Sequence, residues 1–161
     1  MNLIALLTSF DGRIARKSYW LGSLIIIGAV LAVAIAIVTT IDEAAFDRPD
    51  GGSSALGHAL GWVLLLASVP ISVKRLHDLN RSGHYLWPMV ILDALLTAGD
   101  VTGWTGTSTE PNALGWAIIA LYGIYSLVLL IHLGFYRGST GHNDYGGDPL
   151  APEKIPATVS F

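Results

Sequence analysis

The feature that most constrains this chain is the run from Tyr19 to Ile41. It contains no charged residue and is dominated by Ile, Val, Leu and Ala. At about 1.5 Å per residue, such a run crosses a hydrocarbon core of about 30 Å with some tilt. Two further runs have the same character, Ala55–Val73 and Ala113–Phe135. A fourth, from Tyr85 to about Trp104, is weaker. Its strongly apolar part, Leu86–Ala98, is short and holds Asp93, so a re-entrant segment is the alternative there. Only 13% of the 161 residues are charged and 52% are hydrophobic, against about 25% charged in an average soluble domain. A soluble fold of this size has no way to hide so much apolar surface. The expected fold is therefore all-α: an integral membrane bundle of four transmembrane helices with a short N-terminal interfacial helix. It forms one domain over residues 1–150, followed by a disordered, Pro-containing tail at 151–161.

The cations set the orientation. Arg13, Arg16, Lys17, Lys74, Arg75, Arg81, Arg137 and Lys154 flank one side of a four-span layout, and only Arg48 flanks the other. Under the positive-inside rule both termini face the cytoplasm. The connection 42–55 is acidic and Gly/Ser-rich, which suits the opposite face. Residues 1–10 lack a basic leader and carry only a short apolar stretch, so they read as a helix lying on the membrane, not as a cleaved signal. Small residues recur at Gly28, Ala32 and Ala36, and Gly57 and Gly61 form a Gly-x-x-x-Gly pair; both are candidate helix-packing faces.

Between the second and third runs lies Lys74-Arg75-Leu76-His77-Asp78-Leu79-Asn80-Arg81-Ser82-Gly83. If the helix continues past the membrane surface, Asp78 stands one turn from Lys74, Arg75 and Arg81. Pro70 sits just before it, and Ser82-Gly83 reads as a turn. Pro88 suits the first turn of the third helix.

This stretch has two companions. One is Phe10-Asp11-Gly12-Arg13-Ile14-Ala15-Arg16-Lys17-Ser18-Tyr19-Trp20, before the first span. The other is Gly141-His142-Asn143-Asp144-Tyr145-Gly146-Gly147-Asp148-Pro149, after the last. In this order and spacing the chain resembles the bacterial inner-membrane family built around domain of unknown function 805, over about residues 8–150. One departure is His84, where that family has an aromatic residue after Ser-Gly; here the aromatic follows at Tyr85. The longer 42–55 loop is individual to this chain. The resemblance implies a multi-pass protein of the bacterial inner (plasma) membrane and carries no activity with it.

The three pieces fall on one side of the membrane and are expected to converge into a polar cluster of Arg13, Arg16, Arg75, His77, Asp78, Asn143 and Asp148. Two roles fit such a cluster. One is a clamp in which Arg75 pairs with Asp78 or Asp148 and pins the tail to the helix ends. The other is a site for an anionic lipid or another anionic partner, drawing on clustered cations at a bilayer surface and glycine-rich backbone. Asp93 and His132 are the intramembrane polar candidates, as a pair. They would serve a small transporter or channel-like subunit, which at this size would work as a homo-oligomer or with a membrane-protein partner.

The remaining chemistry is excluded by pattern. There is no cysteine, hence no disulfide, thiol nucleophile or thiolate metal site. His77, Asp78, His142 and Asp148 are ligand types without metal-site spacing, so no metal is expected. No Gly-x-Ser-x-Gly, P-loop or dinucleotide fingerprint occurs. A net charge of −3 argues against nucleic acid. The expected protein is non-enzymatic and has no cofactor.

Overall fold

The structure, a computed structural model, describes residues 3–40, 52–107 and 109–151. In order these form α1 (Leu3–Thr8), α2 (Arg16–Thr40), α3 (Gly52–Asp78), a single 3-10 turn (Gly83–Leu86), α4 (Trp87–Thr102) and α5 (Ala113–Phe135). Among the described residues there is no named strand, only isolated bridges in the 104–111 and 143–146 turns. The fold is all-helical, as the apolar periodless runs require. Most of the acidic 42–55 loop and all but the first residue of the 151–161 tail lie outside the described residues.

Three of the described helices, not four, are long and apolar enough to cross a membrane: Arg16–Thr40, Ala55–Asp78 and Ala113–Phe135. The weak third run falls short because α4 has 16 residues, about 24 Å of helix. Its start is taken up by the 3-10 turn. Its end is set by Gly103, which adopts a left-handed φ of 77° and stops the helix before Trp104. Pro88 sits in the first turn of α4, where its missing N–H has no helical partner to lose.

The apolar side chains on the outer faces stay exposed. Leu24, Ile35 and Ile124 are each more than 60% exposed, an arrangement that water penalises and lipid does not. The buried core gathers at one end, where Leu6, Ile14, Ile71, Leu76 and Leu133 meet. Here α2 packs on α3 through Gly22, where a Cβ would lie 3.3 Å from Ile71. The small-residue stripes expected to pack are not used: a Cβ at Gly28, Gly57 or Gly61 would meet nothing within 4 Å. The close approach falls nearer the polar end, at Gly22 and the buried Ile26.

The end of α3 explains how the chain turns. Asn80 adopts φ 55°, the left-handed conformation that asparagine tolerates better than most residues. Arg81 N–H reaches Leu76 O at 2.9 Å and Asn80 N–H reaches His77 O at 3.0 Å. This pair of bonds is a Schellman closure, and it satisfies two carbonyls that the helix end would otherwise leave open. The helix therefore stops at Asp78, and the chain folds back so that Gly83 packs against Val73.

Candidate functional site

The convergence centres on the Asp78 carboxylate, presented by the last turn of α3. Arg13 approaches from just before α2, with Nε 3.2 Å and Nη2 3.1 Å from Asp78 Oδ1. Arg75, one turn back on α3, donates through Nη1 to Asp78 Oδ2. The side chains of all three are at most 5% exposed. Two guanidinium ions around one carboxylate leave an excess positive charge, and backbone carbonyls absorb it. Arg13 Nη1 donates to Gly141 O at 2.6 Å and Gly146 O at 3.1 Å, and Nη2 to Ser139 O at 2.5 Å. All five N–H donors of Arg13 are thus engaged. Arg75 Nε donates to Leu133 O at 2.7 Å, and Nη2 to Tyr136 O. These carbonyls lie at the C-terminus of α5, where the helix dipole favours a cation.

The segment after α5 is fixed by the same centre. Ser139 N–H and Oγ–H donate to Asp78 O at 2.8 and 3.1 Å. Asn143 Nδ2 donates to His77 O at 2.8 Å and to Ser139 Oγ at 2.9 Å, while its Oδ1 accepts from Tyr145 N–H. His77 stacks on Tyr145 with ring centroids 3.8 Å apart, and its Nδ1 lies 3.2 Å from Gly12 O, which accepts. A Cβ at Gly138 would fall on the Asp78 carboxylate, so glycine there is a requirement of the centre.

Arg16 and Asp148 occupy the rim. Arg16 is exposed and donates to Phe135 O at 3.1 Å. Asp148 makes no bond to an arginine. Its carboxylate accepts from Leu150 N–H at 2.9 Å and Gly141 N–H at 3.1 Å, and these two bonds hold it below the usual carboxylate range. Between the rim and the centre lies a cavity of about 290 Å³, lined by Arg16, Arg75, Arg137, Thr140, Asp148 and Leu150 among others.

Two of the cations expected beside Asp78 go elsewhere. Lys74 is buried and its Nζ donates to Ala5 O and Leu6 O, both at 2.6 Å, capping the end of α1. Neighbouring positions on a helix point about 100° apart, so Lys74 and Arg75 face different elements. Arg81 lies beyond the Schellman turn and donates to Tyr85 Oη at 3.1 Å. Lys74 is the structural cation that spacing alone missed; its signal was a lysine inside a span's end, opposite a short apolar helix.

Asp93 and His132 are not brought together. His132 is exposed, its Nδ1 donates to Val128 O at 2.9 Å one turn back, and its ring stacks on Tyr136. Asp93 instead interacts electrostatically with His58 and Tyr122. Among the described residues a His–Asp pair instead forms between α3 and α4, His58–Asp100, with Nε2 2.8 Å from Oδ2. Thr97 Oγ1 stands beside it, 3.5 Å from His58 Nδ1, and accepts from Trp62 Nε1 at 3.1 Å. Neither His58 nor Asp100 stood out in the sequence, because each is a lone polar residue at the end of an apolar run. Among the described residues no three His, Asp or Glu side chains group as metal ligands would.

Helices long and apolar enough to span, lipid-like exposure of their outer faces, and a polar knot at one end define a helical membrane protein. Its family follows from comparison with known proteins. The family model described as protein of unknown function (DUF805) matches residues 7–147, and the chain belongs to that family. The uncharacterized protein YiiR of Escherichia coli strain K12 is 31% identical over 149 residues, covering 92% of this chain and 90% of that protein. YiiR of Escherichia coli O157:H7 matches to the same extent. No solved structure matches.

Proposed function

We propose that this is a non-catalytic, multi-pass protein of the bacterial inner membrane, with both termini cytoplasmic, whose polar cluster divides into a lock and an anion site. Arg13, Arg75, Asp78, His77 and Asn143 form the lock. Arg16 and Arg137, exposed at the mouth of the 290 Å³ cavity, form the anion site. The observation that carries the division is the saturation of Arg13 and the capture of Asp78 by two arginines. Neither group has donors or charge left for an exchangeable partner, whereas the two rim arginines do. Asp148 faces the same cavity and interacts electrostatically with Arg137, while its oxygens accept from backbone N–H groups; two rim arginines against this one carboxylate leave the rim a net positive charge. Clustered cations at a bilayer surface select phosphate-bearing anions.

The way the lock is built supports a reading with four crossings. Arg75 ties the C-terminus of α3 to the C-terminus of α5, so these two spans run parallel. Whatever joins them must carry the chain back across. The 3-10 turn and α4 together offer 20 residues for this (Gly83–Thr102), about 32 Å at 2.0 and 1.5 Å per residue.

The test is a pair of variants with opposite outcomes. Asp78→Asn leaves two buried guanidinium ions facing a neutral amide and is expected to cost about 3–5 kcal/mol, read as loss of the cooperative melt in detergent. Arg16→Gln/Arg137→Gln is expected to melt like the parent and to lose glycerol phosphate binding in an NMR titration. Phosphate binding that survives the double substitution rejects the anion site. A parent-like melt of Asp78→Asn rejects the lock.

A further inference from the structure

A second cavity lies one helical turn deeper than the rim. It has a volume of about 230 Å³ and is lined by Tyr19, Trp20, Ile27, Met89, Ser126 and Leu130 among others, nearly all through apolar atoms. Its walls come from α2, α3, the 3-10 turn, α4 and α5. Along α2 it runs from Tyr19 to Ile27, about 12 Å. The two cavities are in line. Arg16 borders the upper one and Trp20 the lower, and residues four apart lie on one face of a helix. On the other wall, Leu133 borders the lower cavity and Arg137 the upper. A cationic mouth at the polar end thus stands above an apolar cavity, with the Trp20 ring, whose Nε1 donates to Gly134 O at 3.1 Å, at the step between them.

We infer that the two cavities together hold one glycerophospholipid with an anionic headgroup, its phosphate between Arg16 and Arg137 and one acyl chain in the lower cavity. This rests on the anion site proposed above and names its occupant. A free phosphate would use only the mouth, and a zwitterionic lipid would place its own cation against two arginines. Only a molecule with negative charge at one end and hydrocarbon at the other matches both cavities.

Ser126 supplies the discriminating variant. Its Oγ is buried and stands beside the Tyr122 side chain. Replacing it with leucine fills the lower cavity without touching the rim, and a parent-like melt in detergent shows that the variant folds. The protein would be reconstituted in nanodiscs of equimolar phosphatidylcholine and phosphatidylglycerol, then released for native mass spectrometry. A parallel sample in detergent would be titrated with glycerol phosphate. The parent is expected to keep one phosphatidylglycerol. Ser126→Leu is expected to keep it at least about tenfold less while binding glycerol phosphate like the parent. Arg16→Gln/Arg137→Gln is expected to lose both. If Ser126→Leu retains phosphatidylglycerol like the parent, the acyl-chain site is wrong and the anion site stands. If the parent binds glycerol phosphate but keeps no lipid, the occupant is a free anion. If it keeps phosphatidylcholine equally well, charge plays no part, and this inference fails. If the parent binds neither, the anion site itself fails.

Discussion

At the scale of single residues, the centre depends on how arginine differs from lysine. Arg13 spreads five donors in a plane and reaches one carboxylate and three carbonyls from different turns; an ammonium has three donors at one point. Lys74 shows the complementary use, a compact cation set against two adjacent carbonyls of α1. Asp148 is the residue whose chemistry is most open to measurement. Its carboxylate is stabilised in the charged form by the N–H groups of Leu150 and Gly141, which lowers its pKa. A lowered carboxylate stabilises the fold above its unfolded value of about 3.9. That stabilisation is lost as pH falls through the folded value. The Leu150 and Gly141 amide resonances should therefore shift together below about pH 3.9, and stay level from there to neutrality. Asp148→Asn should abolish the shift. A midpoint at or above the ordinary carboxylate value would contradict the bonding described. The residues of this centre were legible in the sequence, because charged and amide side chains between apolar runs have few reasons to be there. Their partners were not legible. Lys74, Arg75 and Arg81 stand at equally good spacing from Asp78, and the choice among them is made by α1, α5 and the Schellman turn.

At the scale of elements, the spans were legible and their mutual packing was not. An uninterrupted apolar run specifies a helix in lipid, whatever its neighbours. Which face then packs depends on where helices cross, so Gly22 was overlooked and Gly28, Gly57 and Gly61 were overvalued. The length of α4 was hidden for a related reason: apolar residues continue through Leu86, but the backbone there closes a 3-10 turn. The same distance from local pattern hid the bond between α3 and α4. His58 and Asp100 are 42 residues apart and meet at 2.8 Å. With side-chain exposures of 24% and 10%, this pair is shielded from solvent, and truncation of His58 removes a hydrogen bond that joins two helices. His58→Ala is expected to destabilise by about 1–3 kcal/mol, read as a lowered melting temperature in detergent. His132→Ala is the control. That imidazole is exposed and bonded within its own helix, so its loss should stay within about 0.5 kcal/mol. Equal effects of the two substitutions would mean that the α3–α4 bond contributes nothing specific.

At the scale of the whole molecule, the lock determines topology as well as stability. It joins the entry to α2, the exit of α3 and the exit of α5 at one carboxylate, so all three must lie at the same membrane face. Two parallel spans then demand a return path, and only the stretch 79–112 is available for it. By composition alone α4 falls short of a span; on the four-crossing reading proposed above it carries the chain across, with the 3-10 turn at one end and the Gly103 turn at the other. The absence of cysteine from the sequence makes this directly testable, since any introduced thiol is the sole target of a maleimide. Thr109→Cys marks the turn between α4 and α5, and Asp144→Cys marks the segment gathered around Arg13; both positions are exposed. In intact cells with a permeabilised outer membrane, a membrane-impermeant maleimide should label Thr109→Cys and spare Asp144→Cys. Inverted inner-membrane vesicles should give the reverse. Labelling of both positions from the same side would mean that α5 does not cross. The reversed pattern, with the exposed Lys17→Cys at the start of α2 spared in intact cells, would require α4 to turn back within the bilayer. That in turn would force α3 and α5 to end at opposite faces, which the bonds from Arg75 to Leu133 O and Tyr136 O do not permit in a folded chain.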